Sequence, residues 1–568
     1  MELNRRHFLK GGLAAAAAAS ASLPAAAATC KKIRWDAAAD VVIVGYGGAG
    51  AVAAIVAAQK GLKVAVIEKN PENNHLCNTR MSGGNCHWPK KDGDKAALKA
   101  YCVAMFSGEN IPGHLEGEQE ESSERLADIW VKYCPYTKEF MQSLDPEFNA
   151  SVLPGYNKAS FGDFPGAKES GYGTFLSTYP KRMAGFNKAS YHLPKNETSA
   201  GEAFWRCLME GVKKEGDKIR VFWDAPAEEL VQNANGEVVG VIAKKGGKAL
   251  AVRAKKAVFL TCGGYEYSRP LRKAFLDGNP ISGWTFYGTP SNTGDGIIMA
   301  QKIGAGLQKP TKVAARLIIP TDRKVNGMRV GTITPAVGSP NSIIVDSYGN
   351  RYTAENLIVK NPSAYFFYKE ATKFDITKLE YPRDPSWFIF DETLRTSKPL
   401  VALGISTVGY DLVKWDAKNE EPIKSGLIMK ADTIGELAKM IRERKENANR
   451  MVPANLERAV AKFNEACEKK KDEEFGRLPN TLGKIEKGPF YAVEVVPGGP
   501  NTKGGLFTDG DRRVLTWDGK AIERLYAFGE ISSVHKNVYQ GGGNLAECIV
   551  YGRHCGELAA TLKDTEDA

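Results

Sequence analysis

From Asp40 the chain alternates apolar and glycine-rich segments in a fixed rhythm. Val41-Val42-Ile43-Val44 is an unbroken apolar run, the pattern of a parallel strand covered on both faces. Gly45-Tyr46-Gly47-Gly48-Ala49-Gly50 follows, then an alanine-rich helical stretch over residues 51–60 that Gly61 ends. Lys63-Val64-Ala65-Val66-Ile67 is a second buried run, with Glu68 at its end. Further on, Lys218-Ile219-Arg220-Val221-Phe222-Trp223-Asp224 predicts a strand, with Val238-Val239-Gly240-Val241-Ile242 as its hairpin partner across residues 233–236. Lys256-Ala257-Val258-Phe259-Leu260-Thr261 predicts another strand, closed by Gly263-Gly264. Asn292-Thr293-Gly294-Asp295-Gly296 opens a helix over residues 297–302. Residues 311–496 break this rhythm with a Pro-, Tyr- and Trp-containing stretch and two amphipathic helices, around 434–446 and 453–472. Leu525-Tyr526-Ala527-Phe528-Gly529-Glu530 then reads as a strand entering a turn, and residues 541–560 as a helix. The expected division is a signal at 1–28, a nucleotide-binding domain at 36–310 that resumes at 498–562, and an inserted domain at 311–497.

The first of these segments carries chemistry. In a strand–glycine turn–helix unit, Gly45 makes the tight turn, Gly47 lets the backbone approach a pyrophosphate, and Gly50 allows close helix–strand packing. The helix N-terminus offers unpaired N–H groups and the positive end of its dipole to phosphates. Glu68 stands 18 residues beyond Gly50, where a carboxylate can bond a ribose hydroxyl. The glycines alone would be a weak signal; with both strands, the helix and the acid in place they read as a dinucleotide site.

Length and composition narrow the rest. A chain of 568 residues is too long for one core. Its 77 Lys and Arg against 66 Asp and Glu leave a net charge of +11, but the basic residues are scattered, so no nucleic-acid partner is expected. Asn4-Arg5-Arg6-His7-Phe8-Leu9-Lys10, an alanine-rich stretch and Ala26-Ala27-Ala28 together read as a twin-arginine export signal, placing the protein in the periplasm or another extracytoplasmic space, either free or associated with the membrane. No later stretch is long and apolar enough to predict a membrane span. The ten cysteines lack the spacings of a disulfide framework, a c-type haem or an iron–sulfur cluster, and Cys86-His87 reads as packing, so no metal is expected.

Several segments together resemble the flavoprotein family of soluble fumarate reductase and flavocytochrome c, which is related to 3-ketosteroid dehydrogenases and urocanate reductase. They are the Gly45–Gly50 turn with Glu68, then Ser82-Gly83-Gly84, Thr261-Cys262-Gly263-Gly264 and Thr293-Gly294-Asp295-Gly296. Gly349-Asn350-Arg351-Tyr352-Thr353-Ala354-Glu355 is similar to a motif of the family's mobile domain, as are Phe463-Asn464, Phe475-Gly476-Arg477 and Pro489-Phe490-Tyr491-Ala492. Lys503-Gly504-Gly505, Gly529-Glu530, Gly542-Gly543-Asn544-Leu545-Ala546-Glu547 and Tyr551-Gly552-Arg553 complete the match. The resemblance implies an α/β fold, a Rossmann-type FAD-binding domain interrupted by an α+β clamp, or capping, domain, with the active site between them. It places FAD against Gly45, Gly47, Gly48, Ala49, Gly50, Glu68 and Lys69; against Asn78, Thr79, Ser82, Gly83, Gly84 and Ala225; and against Thr261, Gly263, Gly264, Asn292, Thr293 and Asp295. At the C-terminal end it adds Gly529, Glu530, Gly542, Asn544 and Leu545.

The family's substrate-binding groups are largely missing. Asn501 stands where fumarate reductases have a histidine, Tyr539-Gln540 where they have a carboxylate-binding arginine, and the stretch matching their catalytic arginine offers only Lys360. A site without guanidinium forks holds a dicarboxylate poorly, which argues against fumarate. Tyr539-Gln540-Gly541-Gly542-Gly543 instead resembles the Tyr-x-x-x-Gly arrangement of 3-ketosteroid dehydrogenases, in which the Tyr539 hydroxyl and the Gly543 N–H would both donate to a substrate carbonyl. The expectation is reduction of an activated C=C bond in a neutral or mono-anionic enone, enoate or aryl acrylate, with Tyr539, Gly543, Lys360 and Asn501 as catalytic candidates. A separate donor, a cytochrome c or quinol-linked protein, would supply electrons in anaerobic respiration, and the protein would be a monomer. Two alternatives stand beside it: the reverse reaction of a 3-ketosteroid-type dehydrogenase, and a flavin electron-transfer protein without turnover. His535, Trp88 and Tyr287 are read as packing or pocket-lining residues, and Tyr352 and Glu355 as orienting their neighbours.

Overall fold

The apolar runs become the middle of a parallel sheet. A computed structural model describes residues 33–87, 89–107, 121–152, 159, 161–179, 198–355, 368–536 and 538–565. The export signal, Trp88 and Lys360 lie outside the described residues. Five strands, β1 (Ala37–Val44), β2 (Val64–Ile67), β3 (Ile219–Phe222), β4 (Lys248–Leu260) and β5 (Ala521–Ala527), run parallel in the order β5-β4-β1-β2-β3. Chain order reverses between β1 and β4, and a crevice opens there at the C-terminal strand ends. Val41, Val42 and Ile43 have no exposed surface. One reason is α1 (Gly48–Gln59), which packs against α2 (Gly543–Ala559) over the sheet. The two helices approach closely because Gly552 and Gly556 of α2 face Val52 and Val56; a Cβ on either glycine would lie 2.8 Å from the opposing valine Cβ.

One strand pairing differs from the sequence expectation. The run starting at Lys218 contributes β3, which pairs parallel to β2 and not to the segment after it. The hairpin partner of Val238–Lys245 is Ala227–Gln232, and Val238–Lys245 then pairs antiparallel with β4. The apolar alternation of β3 fitted either partner. The choice is made by Trp223, Asp224 and Pro226, which separate two strands where the sequence pattern suggested one. β4 begins at Lys248, eight residues before the predicted start, because its first half belongs to this hairpin.

A second sheet has seven strands, in the order Thr285–Phe286, Met328–Ile333, Arg316–Val325, Phe490–Gly499, Ser386–Asp391 and Ser342–Val345, with Met429–Ala431 also paired to Phe490–Gly499. The two amphipathic helices are Ile434–Glu443 and Pro453–Glu468. The first starts with a capping box between Thr433 and Glu436. Leu437, Ile441, Leu456 and Phe463 bury their apolar faces against Ile343, Val345, Trp387 and Ile389. Arg351 beside them bonds Glu355 at 3.0 Å and Asp472 at 2.9 Å, and Arg477 bonds Glu355 at 3.2 Å. The Arg351–Glu355 motif is thus a buried ion cluster that ties the loop after Ser342–Val345 to the chain beyond the second helix. Tyr352 bonds Ser386 Oγ at 2.8 Å. Thr285–Phe286, well before residue 311, belongs to this sheet, and Leu307–Val313 pairs with Thr502–Leu506, so the chain passes between the two sheets at several points. The fold is mixed α/β. No helix among the described residues is long and apolar enough to cross a membrane.

Candidate functional site

The C-terminal ends of β1, β2, β4 and β5 converge on one elongated cavity. After β1, Gly45 takes φ +98°, and a Cβ there would lie 2.6 Å from Cys262 Cα. Gly50 meets β1 so closely that a Cβ would overlap the Gly45 carbonyl oxygen and sit 2.7 Å from Thr261 Oγ1. Gly47, by contrast, has nothing within 4 Å of a Cβ position. Its backbone faces the open cavity, with Gly48 and Ala49 beside it. Helix α1 has no side-chain cap; Gly48 N–H donates to Thr79 Oγ1 at 3.0 Å, and the rest of its first turn has no intrahelical acceptor.

Glu68, buried at the end of β2, accepts from Tyr46 N at 2.8 Å and from Asn70 N at 2.7 Å. Both bonds fix a carboxylate on the cavity wall. His75 packs between Trp205 and Trp223 beside it, and burial lowers its pKa, keeping a neutral ring near Glu68. Lys69 bonds Thr293 Oγ1 and Asp295, each at 2.7 Å, so three predicted residues from two distant segments meet at one rim. Asn78 accepts from Thr289 N at 2.7 Å and donates to Glu530 at 2.8 Å, and Asn292 donates to the other Glu530 oxygen at 3.2 Å. Ser82 also lines the wall.

Gly263 also lines the wall, and other predicted residues stand behind it. Gly263 and Gly529 take left-handed turns; a Cβ on Gly263 would overlap the Asn292 side chain, and one on Gly529 would lie 3.0 Å from Ala49 Cβ. Gly84 N–H is bonded to Ser82 Oγ, and Gly83 lies near Ile405. Gly264 is crowded by the Thr502, Glu530 and Glu266 side chains. Ala225 does not reach the cavity: it is fully buried, its N–H bonded to the Glu68 carbonyl, and the wall residue is Ala227, two positions on.

At the other end, Gly542 holds the N-cap position of α2 at φ +92° without a side-chain cap, and Asn544 and Leu545 line the cavity. Asn544 donates to Asn501 Oδ1 at 3.0 Å and accepts from the Lys503 ammonium. Lys503 also bonds Ser533 Oγ at 3.3 Å and lies 4.3 Å from the centroid of the Tyr539 ring. Tyr539, Lys503, Asn544 and Asn501 therefore form one connected polar row. Burial lowers the Lys503 pKa to about 8, against the upward pull of Glu547 and Glu530. Glu547 accepts from Val534 N and Ser533 Oγ, both at 2.9 Å. Gly543 does not offer the free donor expected of it. Its N–H is bonded to the Gln540 carbonyl at 3.0 Å, and His535 covers its Cα. His535 itself packs against Phe106, Trp130 and Tyr539. Lys360 lies outside the described residues.

Sequence reasoning missed Lys503, although it sat in a quoted motif; a lysine followed by two glycines gives no sign of burial. Tyr46, His75, Thr289, Ser291 and Cys548 also line or border the cavity without any linear signal. The described lining contains no arginine. Among the described residues no His, Cys, Asp and Glu cluster could hold a metal ion.

These groups fit an adenine dinucleotide. An uncapped helix start, a Cβ-free cradle at Gly47 and a fixed carboxylate at Glu68 serve a pyrophosphate and a ribose, and a second uncapped helix start, α2, serves a group at the far end. The comparisons agree. The FAD binding domain family matches residues 40–545, and the twin-arginine translocation pathway signal sequence matches residues 2–22. The chain is 28% identical to the 3-oxosteroid 1-dehydrogenase of Mycolicibacterium smegmatis, over 90% of this chain and 95% of that one. It is 28% identical to the NADH:acrylate oxidoreductase of Vibrio harveyi, over 92% of this chain and 50% of that one. In three dimensions it resembles 3-ketosteroid delta1-dehydrogenase from Sterolibacterium denitrificans, with a TM-score of 0.71 at 22% identity over 92% of this chain and 99% of that one. It also resembles the open conformation of a flavocytochrome c3 fumarate reductase, with a TM-score of 0.62 at 21% identity over 99% of this chain and 81% of that one. With the fingerprint, the cradle and the family match over the same residues, the chain belongs to the FAD-binding flavoprotein oxidoreductases, carries a twin-arginine export signal, and uses FAD as its cofactor.

Proposed function

We propose that this protein is an exported flavoenzyme that reduces an activated C=C bond in a neutral or mono-anionic enone, enoate or aryl acrylate. The observation that carries the reading is the row Tyr539–Lys503–Asn544–Asn501 beside the start of α2. FAD, when bound, supplies hydride at N5. The chain's own residues would do the rest. Tyr539 would donate a hydrogen bond to the substrate carbonyl, drawing electrons from the conjugated bond. The Lys503 charge over its ring favours that donation, since a nearby cation makes a phenol more acidic. With Gly543 N–H held by Gln540, the uncommitted donors of the α2 start belong to Asn544 and Leu545, on the cavity wall where negative charge on the cofactor would be met. The absence of arginine among the described lining residues supports a substrate with at most one carboxylate.

In this reading the seven-stranded sheet with its two helices acts as the capping domain of a Rossmann-type flavin domain, closing the site against water. A separate exported electron carrier, a cytochrome c or quinol-linked protein, would reload the cofactor. The reverse direction is a second reading: full-length similarity to a 3-oxosteroid 1-dehydrogenase favours abstraction of hydride from a 3-ketosteroid-like substrate, using the same tyrosine. Anaerobic protein reduced with dithionite or a viologen and offered fumarate, acrylate, an aryl acrylate, a cyclic enone and a 3-ketosteroid separates these. Fastest flavin reoxidation by the enone or a mono-acid is expected. Fumarate as the best acceptor would sink the substrate argument. Reduction of the oxidised flavin by a saturated 3-ketosteroid, with no reoxidation by enones, would establish the second reading, and silence with every compound would leave an electron-transfer protein.

A further inference from the structure

Two carboxyl groups meet at the cavity wall, one in it and one behind it. Glu530 lines it directly, its two oxygens taken by Asn78 and Asn292. Glu266 stands behind it, 1% exposed. A Cβ placed on Gly264 would meet Glu530 Oε1 and lie 2.9 Å from Glu266 Oε2, so both carboxyls press on the same glycine. Oxygens of both carboxyls therefore converge on one small volume over Gly264. Glu266 Oε1 accepts from Thr502 N at 3.1 Å, but Oε2 is buried with no donor facing it.

The surrounding charges do not supply one. Arg272, on the helix that follows Glu266, spends its guanidinium on the carbonyl oxygens of Glu266, Pro280, Ile281 and Trp284. Lys503, on the strand carrying Thr502, is committed to Ser533 and Asn544. Tyr265 and Tyr267, the chain neighbours of Glu266, donate to the Pro310 and Phe286 carbonyl oxygens. A buried carboxylate oxygen with no donor, against a second carboxylate, is an uncompensated charge. One proton between them removes the repulsion and supplies the missing donor.

We propose that Glu266 is a neutral acid in the folded protein and donates a hydrogen bond to Glu530 while keeping its proton, forming a one-proton carboxyl dyad that holds Glu530 as an acceptor in the wall of the FAD cavity. Burial first, and Glu530 second, push the Glu266 pKa well up, in keeping with this geometry. Glu266 is thus a positioning residue: it acts on the cofactor through Glu530.

Glu266→Gln tests it, because the amide keeps a donor toward Glu530 but cannot ionise. The acid is protonated when folded and ionised when unfolded above about pH 4.3, so the wild-type unfolding constant should rise relative to E266Q by about tenfold per pH unit across the neutral range. FAD release, followed by flavin fluorescence, should match in the two proteins at mildly acid pH, and should quicken with rising pH only in wild type. The infrared carbonyl band of a protonated carboxylic acid should weaken in E266Q. Parallel pH profiles, or an unchanged band, would overturn the dyad. If E266Q does not fold, Glu530→Gln decides: its amide can donate to an ionised Glu266, so the same band should weaken, and a band at full strength would overturn the proposal.

Discussion

The Lys503 ammonium lies 4.3 Å from the centroid of the Tyr539 ring, with both residues buried near the start of α2. Burial holds the lysine pKa down to about 8. Its folded value is below the unfolded one of about 10.4, so in the window between them the unfolded chain binds more protons. Stability of wild type relative to Lys503→Met should therefore rise with pH across that window, by about 1.4 kcal/mol per pH unit. Below about pH 8 the difference should be flat. Urea unfolding of both proteins across that range measures it. Curves that stay parallel would show that the lysine is not shifted.

Tyr539→Phe keeps the ring under Lys503 and removes only the hydroxyl. Turnover should fall by about a hundredfold, the loss typical of one donor to a developing oxyanion. Flavin content, read as the ratio of flavin to protein absorbance, should stay near wild type. Equal losses of both would make the tyrosine structural.

The fingerprint glycines should separate into two classes. At Gly47 the backbone is extended, with φ −89°, and a Cβ meets nothing, so Gly47→Ala should leave the melting temperature of flavin-free protein unchanged. Its methyl group would point into the cradle, and FAD affinity should drop by tenfold or more, on the order of 1.4 kcal/mol. At Gly50 a Cβ overlaps the Gly45 carbonyl, so Gly50→Ala should destabilise even flavin-free protein by about 1–3 kcal/mol. Calorimetry on stripped protein and FAD titration distinguish the two.

Arg351 bridges Glu355 and Asp472 in the buried cluster of the second sheet, and its truncation leaves two carboxylates without that partner. Arg351→Ala should cost about 3–5 kcal/mol, seen as a lower urea midpoint. Because the cluster lies away from the flavin wall, FAD affinity of the protein that does fold should be unchanged. A variant that loses FAD without losing stability would place this motif at the cofactor.

Much of the flavin half was legible because it depends on local rules. A continuous apolar run, glycines at the turn and an acid at the next strand end are adjacent in the chain, and their spacing alone dictates a phosphate-binding crossover. Helix periodicity likewise marked Ile434–Glu443 and Pro453–Glu468. What the sequence could not decide were partnerships between distant segments. The period of two in β3 suits a parallel or an antiparallel neighbour, and only the packed sheet assigned it to β2. Ala225 and Ala227 are alike as letters, and a turn in the backbone chose which one faces the cavity. Whether Gly543 offers its N–H depends on where the Gln540 carbonyl points. Lys503 and Glu266 look like ordinary charged residues in one dimension. Their chemistry arises from burial beside Tyr539 and Glu530, because desolvation and neighbouring charge are properties of three-dimensional surroundings.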